Sequence, residues 1–292
     1  LLIMEGDVLY FGYGSNLNHG DWAAWRQARG ADSSSMKGVG SAWLLDHSLR
    51  FHYHSTGREG GAADVVEDVR GTAVPGAVFS LSEEGWDLMD KKEGHPDHYK
   101  RVSVTVVTED GCVVDAITYT VVPKKCQTVL VPPTRRYAEL ISDGLNGRNL
   151  PIEHLNSAIQ NVDSKSRLQH VFVYGTLMRG KSRWPQLKAW SSSQVQQGKV
   201  TGRLYNLGSF PGLRLDELGA VHGELHRCED IEKALEILDQ IEGHNPRFPR
   251  EGLYVRVPVF VQTLERGAWA WTYVINAHPH PSTWLQDGRW TA

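Results

Sequence analysis

The apolar and polar positions of this chain fall into one pattern that occurs twice. Val8-Leu9-Tyr10-Phe11-Gly12-Tyr13-Gly14-Ser15-Asn16-Leu17 is a β-branched and aromatic run that enters a glycine bend, and Val171-Phe172-Val173-Tyr174-Gly175-Thr176-Leu177-Met178 repeats it. Each reads as a buried strand followed by a turn. Further on, Ser82 caps a helix carrying Trp86, Leu88 and Met89, which ends in Asp90-Lys91-Lys92-Glu93-Gly94-His95. In the other half Asp230 caps a helix with Ile231, Ala234, Leu235, Ile237, Leu238 and Ile241 at helical spacing, ending in Asp239-Gln240-Ile241-Glu242-Gly243-His244. Ser and Asp are good N-caps, and the apolar stripe sets the buried face. A strand opens after each Glu-Gly-His, at Tyr99-Lys100-Arg101-Val102 and at Tyr254-Val255-Arg256-Val257.

Between the copies, Pro132-Pro133-Thr134 opens a helix to Gly144, Leu150-Pro151 opens another through Ile159, and polar Asn161–Gln169 reads as a linker. Ala77–Phe79, Val113–Val122, Gly202–Leu207, Ala220–Leu225 and Ala268–Ile275 read as further strands. Strands do not alternate regularly with long helices, so the expected class is α+β: two domains, 5–162 and 169–292, each a curved or barrel-like sheet with a few helices.

Composition narrows the function. The 292 residues suffice for two cores, and a formal net charge of −3 gives no general grip on nucleic acid or anionic membrane. No apolar run approaches the roughly 20 residues that span a bilayer. Leu1–Asp7 is short and lacks the basic flank of a signal peptide, and Met4 is the expected start. Cys112, Cys126 and Cys228 form neither a disulfide framework nor a CxxC site, so the expected setting is reducing and cytoplasmic. The ten tryptophans are expected mostly in cores and pocket walls.

The repeated residues carry the candidate chemistry. Gly14 and Gly175 let main-chain N–H groups approach a ligand, and such a bend is suited to an anion or oxyanion. Ser15 and Thr176 add a hydroxyl, and Asn16 adds an amide in the first copy alone. Glu93 and Glu242 end apolar helices, where the helix dipole disfavours a carboxylate and raises its pKa, as burial does further. A raised pKa suits a general base that later acts as an acid. Tyr99 and Arg101 share a strand face, as do Tyr254 and Arg256; each Arg is a candidate either for a substrate carboxylate or for an acidic side chain. His52 and His54 alternate as two metal ligands on one face would, and His95, His98, His278 and His280 make other close pairs. With no third carboxylate or cysteine at clear spacing, no metal site is expected.

These residues resemble the γ-glutamylcyclotransferase family. In the first half the resemblance rests on Tyr13-Gly14-Ser15-Asn16-Leu17, Gly60-Gly61-Ala62-Ala63, Glu93-Gly94, Tyr99 and the tail Pro133-Thr134, Tyr137, Leu140-Ile141, Gly144 and Leu150-Pro151. The second half is similar to the γ-glutamylamine cyclotransferase branch, including its butirosin-pathway type. The matching residues are Tyr174-Gly175-Thr176-Leu177, Gly202–Gly208, Phe210-Pro211-Gly212, Val221-His222-Gly223, Glu242-Gly243, Tyr254 and Arg256. The resemblance implies small mixed β-barrels with flanking helices, no cofactor and no metal. It implies Glu93 and Glu242 as catalytic residues, and Tyr13, Gly14, Ser15, Asn16, Leu17, Tyr99, Tyr174, Gly175, Thr176, Leu177 and Tyr254 as the binding surface for a small γ-glutamyl amide, cyclised to 5-oxoproline. A non-catalytic binder of such a ligand and an amide hydrolase are the alternatives, and a pseudo-dimer of the two domains is a further expectation. The second copy departs at Met178 and in its longer loop: Tyr99 follows Glu93 by six residues, whereas Tyr254 follows Glu242 by twelve, with Arg247 and Arg250 between.

Overall fold

The computed structural model describes residues 8–30, 35–162 and 167–291, so the expectations for Leu1–Asp7 and for linker residues 163–166 lie outside the described residues. The chain divides into two compact units, Leu1–Thr108 with Val114–Arg167, and Glu109–Val113 with Leu168–Ala292.

The first unit contains β1 (Leu9–Gly12), α1 (His19–Gln27), β2 (Met36–Leu45), β3 (His47–Ser55), β4 (Gly60–Glu67), β5 (Ala73–Leu81), α2 (Glu83–Glu93), β6 (Tyr99–Thr108), β7 (Val113–Val121), α3 (Arg135–Asn146) and α4 (Glu153–Gln160). Five strands close a barrel in the order β1-β5-β2-β6-β7, and β3 and β4 form a separate hairpin. The barrel is mixed: β1 runs antiparallel to β5 and parallel to β7, with Leu9 opposite Ala116.

The second unit contains β8 (His170–Val173), α5 (Trp184–Lys188), β9 (Ser191–Thr201), β10 (Arg203–Asn206), β11 (Pro211–Arg214), β12 (Ala220–Cys228), α6 (Ile231–Glu242), β13 (Tyr254–Thr263), β14 (Ala268–Ile275) and β15 (Trp284–Leu285). Its barrel, β12-β8-β14-β13-β9, repeats the first strand for strand, with β8 antiparallel to β12 and parallel to β14. A β10–β11 pair extended by β15 takes the place of the β3–β4 hairpin. The α+β barrel architecture expected from the repeat is therefore observed. Among the described residues no helix is long and apolar enough to cross a membrane.

Capping explains where the long helices start and stop. The Ser82 side chain accepts the Gly85 N–H, and the Asp230 side chain accepts the Lys233 N–H. Gly94 and Gly243 both stand at φ +64, the left-handed region that glycine enters without a Cβ penalty. The His95 N–H then reaches the Asp90 carbonyl at 2.9 Å and the His244 N–H reaches the Asp239 carbonyl at 2.8 Å, closing both helix ends alike. This is why a glutamate followed by Gly-His recurs: the closure fixes the last turn, and with it the direction of the glutamate.

A second pair of glycines permits the barrels to close under the bends. A Cβ at Gly76 would lie 2.4 Å from the Gly12 carbonyl oxygen, and one at Gly223 would lie 2.2 Å from that of Val173. Phe11, Trp43 and Val78 in the first unit, and Phe172, Val221 and Trp271 in the second, are buried along these strands, each contributing about 1.5–3 kcal/mol relative to exposure. Tryptophan departs from expectation. Only Trp22, Trp43, Trp271 and Trp290 are buried, because tyrosines, whose hydroxyls tie to main-chain groups, take the positions around the site.

Candidate active site

In each unit the bend after the first strand and the last turn of the long helix line one cavity. The first measures about 430 Å³ and is walled by Tyr13, Gly14, Ser15, Asn16, Glu93 and Tyr99, together with Tyr53, Arg58, Lys92, His98, Tyr119 and Tyr137. The second measures about 60 Å³ and is walled by Tyr174, Gly175, Thr176, Leu177, Glu242 and Tyr254, together with Arg183, Phe210, Pro211 and Tyr273. No tryptophan lines either one. The structure thus gathers every expected binding residue but Leu17, which does not line the first cavity. It is 1 % exposed and packs on α3, where a Cβ at Gly144 would come within 2.5 Å of its own Cβ.

Tyrosine hydroxyls fix the two bends in the same way. Tyr13 donates to the Tyr119 carbonyl at 2.6 Å, and Tyr174 donates to the Tyr273 carbonyl at 2.6 Å. Tyr99 donates to the Ala63 carbonyl at 2.8 Å, and Tyr254 to the Pro211 carbonyl at 2.5 Å. Both bends continue into a turn closed by main chain, Leu17 N–H to Gly14 O and Met178 N–H to Gly175 O, each 3.0 Å. The N–H groups of Ser15 and Asn16, and of Thr176 and Leu177, have no acceptor among the described residues. They are available to an anionic oxygen.

The two glutamates differ in their company. Asn16 Nδ2 donates to Glu93 Oε1 at 2.8 Å and to the Tyr10 hydroxyl at 2.8 Å, while Lys92 Nζ donates to Asn16 Oδ1 at 2.7 Å. Lys92 also bonds Asp21 at 2.9 Å, and Arg58 joins Asp21 at 2.9 Å and the Ser15 hydroxyl at 2.8 Å. Burial raises the Glu93 pKa, and the Lys92 charge, the Asn16 bond and Arg58 oppose the rise. Burial likewise lowers Lys92 against the pull of Asp21 and Glu93. Burial would raise Asp21, but Arg58 and Lys92 outweigh it and hold Asp21 at about 2. In the second unit Leu177 occupies the place of Asn16, and the Glu242 carboxylate accepts no hydrogen bond among the described residues. Burial pushes it up to about 7, with only the Arg183 charge opposing. The negative helix end points the same way, but desolvation is the leading cause at both sites.

Arg101 and Arg256 line neither cavity; they take the acidic-partner alternative. Arg101 holds Asp90 by two bonds of 2.9 Å, and Tyr119 donates to Asp90 at 2.6 Å. Arg256 bonds Asp239 at 3.0 Å, and Tyr273 donates to Asp239 at 2.7 Å. The His95 ring stands edge-on to Tyr119 and the His244 ring edge-on to Tyr273, with centroids 6.3 and 6.4 Å apart. Each Asp lies one turn before its glutamate, so two barrel strands clamp the end of the helix that presents the carboxylate. Sequence reasoning passed over these aspartates and tyrosines, although Asp recurs three residues before both glutamates. It also passed over Asp21 and Lys92, and over Arg58 and Arg183, each of which opposes the rise of the glutamate in its own unit.

The sequence model of the gamma-glutamyl cyclotransferase, AIG2-like family matches residues 10–138 and 171–292. A Vibrio cholerae protein provisionally named a gamma-glutamylcyclotransferase is 30% identical over 125 residues, 42% of this chain and 96% of that protein. A Methanocaldococcus jannaschii protein with the same provisional name is 32% identical over 62 residues, 21% of this chain and 51% of that protein. The crystal structure of an uncharacterized human protein aligns over 53% of this chain and 87% of its own, at 26% identity and a TM-score of 0.44.

Proposed function

We propose, from the premise that this chain belongs to the gamma-glutamyl cyclotransferase, AIG2-like family, that its first unit cyclises a small γ-glutamyl amide with Glu93 as general base and then acid. The observation that carries this reading is the Asn16 amide. It joins the bend to the Glu93 carboxylate at 2.8 Å inside a cavity of about 430 Å³. That volume lies within the range of about 300–1,000 Å³ usual for small-molecule sites.

A γ-glutamyl amide carries its own nucleophile, the α-amine, within reach of its γ-carbonyl. Holding the cyclising conformer replaces an encounter between two molecules. Glu93 takes a proton from the α-ammonium, and the freed amine attacks the γ-carbonyl carbon. The Ser15 and Asn16 N–H groups receive the oxygen as charge develops on it, each good donor supplying about 3–4 kcal/mol. As the intermediate collapses, Glu93 passes its proton to the leaving nitrogen. One N–C bond forms and the amide C–N bond breaks. The ring nitrogen then sheds a second proton through the emptied Glu93 carboxylate, so two of the three ammonium protons end on the departing amine, and 5-oxoproline remains. A carboxyl with a raised pKa is suited to both halves of this transfer, for a gain of ~10²–10⁴ in rate.

The second unit is read as the lesser site. Its cavity, about 60 Å³ against about 430 Å³, is much the smaller, and Leu177 supplies no donor to Glu242. The test is mass-spectrometric detection of 5-oxoproline and free amine from γ-glutamyl dipeptides, γ-glutamyl-ε-lysine and γ-glutamyl amines. Glu93→Gln is expected to lower turnover by ~10²–10⁴, and Glu242→Gln is expected to leave most of it. Full activity in the double variant, glutamate in place of 5-oxoproline, or binding without product would each defeat the proposal.

A further inference from the structure

Outside both cavities, three unlike donor side chains from three separate segments of the first unit converge. His52, Asp64 and Cys126 each bring one ligand atom within 4.8 Å of the other two. His52 and Asp64 alone share a hydrogen bond, Nε2 to Oδ2 at 2.7 Å. That contact involves two of the three groups; the third, the Cys126 thiol, donates to the Val122 carbonyl at 3.7 Å and lies beside them.

Each donor is held by a separate feature of the main chain. His52 is the extra residue of a β-bulge: Phe51 pairs with Ala63 and Tyr53 with Ala62, which turns the His52 side chain out of the regular alternation. Asp64 is 2 % exposed, and its Oδ1 accepts the N–H groups of Val65 and Val121 at 2.9 and 3.0 Å, leaving Oδ2 for the cluster. The segment after β7 is drawn alongside β3 by the Gln127 N–H, 2.6 Å from the His52 carbonyl, and by the Val131 N–H, 2.8 Å from that of Phe51. This brings Cys126 beside His52 although they are 74 positions apart.

From this convergence we propose that His52, Asp64 and Cys126 form a binding site for a divalent cation of the zinc type, with one coordination position open. Imidazole, carboxylate and thiolate together suit a borderline ion, whereas calcium and magnesium call for oxygen donors. A tetrahedral centre with bonds of about 2.0–2.3 Å spaces its donors roughly 3.3–3.8 Å apart. The site reaches that spacing if the His52–Asp64 contact opens by roughly 0.6–1 Å. The two N–H bonds to Oδ1 are the outer-shell support that carboxylate ligands commonly carry. Neither His52 nor Cys126 is fully buried, which gives an ion a way in. The site does not depend on the cyclotransferase reading.

The experiment titrates chelator-treated full-length protein with Zn²⁺ by calorimetry and with Co²⁺ by absorption. One ion per chain and a thiolate-to-cobalt charge-transfer band are expected. Cys126→Ser should remove the band and weaken Zn²⁺ binding about 100-fold or more, since loss of an outer-shell partner alone costs 10–100-fold. His52→Gln should weaken binding comparably, and Cys112→Ser, at an exposed cysteine outside the cluster, should change nothing. Circular dichroism checks folding; should His52→Gln unfold, Cys126→Ser decides, because its side chain is not in the core. Absence of stoichiometric binding, absence of the band, or undiminished affinity in Cys126→Ser overturns the proposal.

Discussion

Replacing Glu242 with glutamine tests whether the second carboxyl is as desolvated as its surroundings require. Burial raises it from an ordinary 4.5 to about 7. Below about pH 4.5 the folded and unfolded chains both hold the proton, and the carboxyl carries no penalty. As pH climbs toward 7 the unfolded chain gives up its proton while the folded chain keeps it. Stability therefore falls through this window and stays low above it. Across roughly 2.5 pH units, at about 1.4 kcal/mol per unit, the folded state loses about 3 kcal/mol. Glutamine has no such loss. Glu242→Gln is therefore expected to match the wild type near pH 4.5 and to exceed it by up to about 3 kcal/mol above pH 8. Urea denaturation followed by tryptophan fluorescence, at about pH 5 and about pH 8.5, reports the difference. The buried Trp271 lies in the same unit. A stability gap between the two proteins that does not change with pH would refute the argument, because an exposed carboxyl gives that result.

Three further outcomes follow from the geometry. Asn16→Leu installs in the first unit the side chain found at the equivalent place in the second. Losing a charge-assisted bond of about 1.5–3 kcal/mol raises Glu93 further, so the acid limb of the pH–rate profile should move to higher pH; an unmoved limb would count against Asn16 as the partner of the base. Asp239→Asn faces a fully buried Arg256 and should cost about 3–5 kcal/mol. Asp90→Asn, opposite the partly exposed Arg101, should cost about 1 kcal/mol but lower kcat with KM retained, as measured by denaturation and steady-state kinetics.

Much of the architecture was legible because local pattern reports local burial. The aromatic runs before Gly14 and Gly175 and the apolar stripes between the N-caps and Glu-Gly-His dictate strand and helix wherever they occur. Their recurrence in the same order disclosed the duplication. What escaped notice lacked such a signal. β9 (Ser191–Thr201) is largely polar because much of it faces solvent, and it is a strand through pairing with β12 and β13 rather than through its own composition. The aspartates that clamp the helix ends had no assigned role in the sequence, because the arginine and tyrosine opposite them come from β6, β7, β13 and β14.

By itself, then, the sequence determined two α+β barrels, a bend in each, and a glutamate at each helix end. Capping, apolar periodicity and glycine conformation act over a few residues and are written where they act. Tertiary structure alone decided that one cavity is about 430 Å³ and the other about 60 Å³. It also decided that Asn16 meets Glu93 across 77 positions while Leu177 leaves Glu242 near neutrality, and that Cys126 joins His52 and Asp64. Those outcomes depend on distances between segments far apart in the chain, which no local pattern encodes.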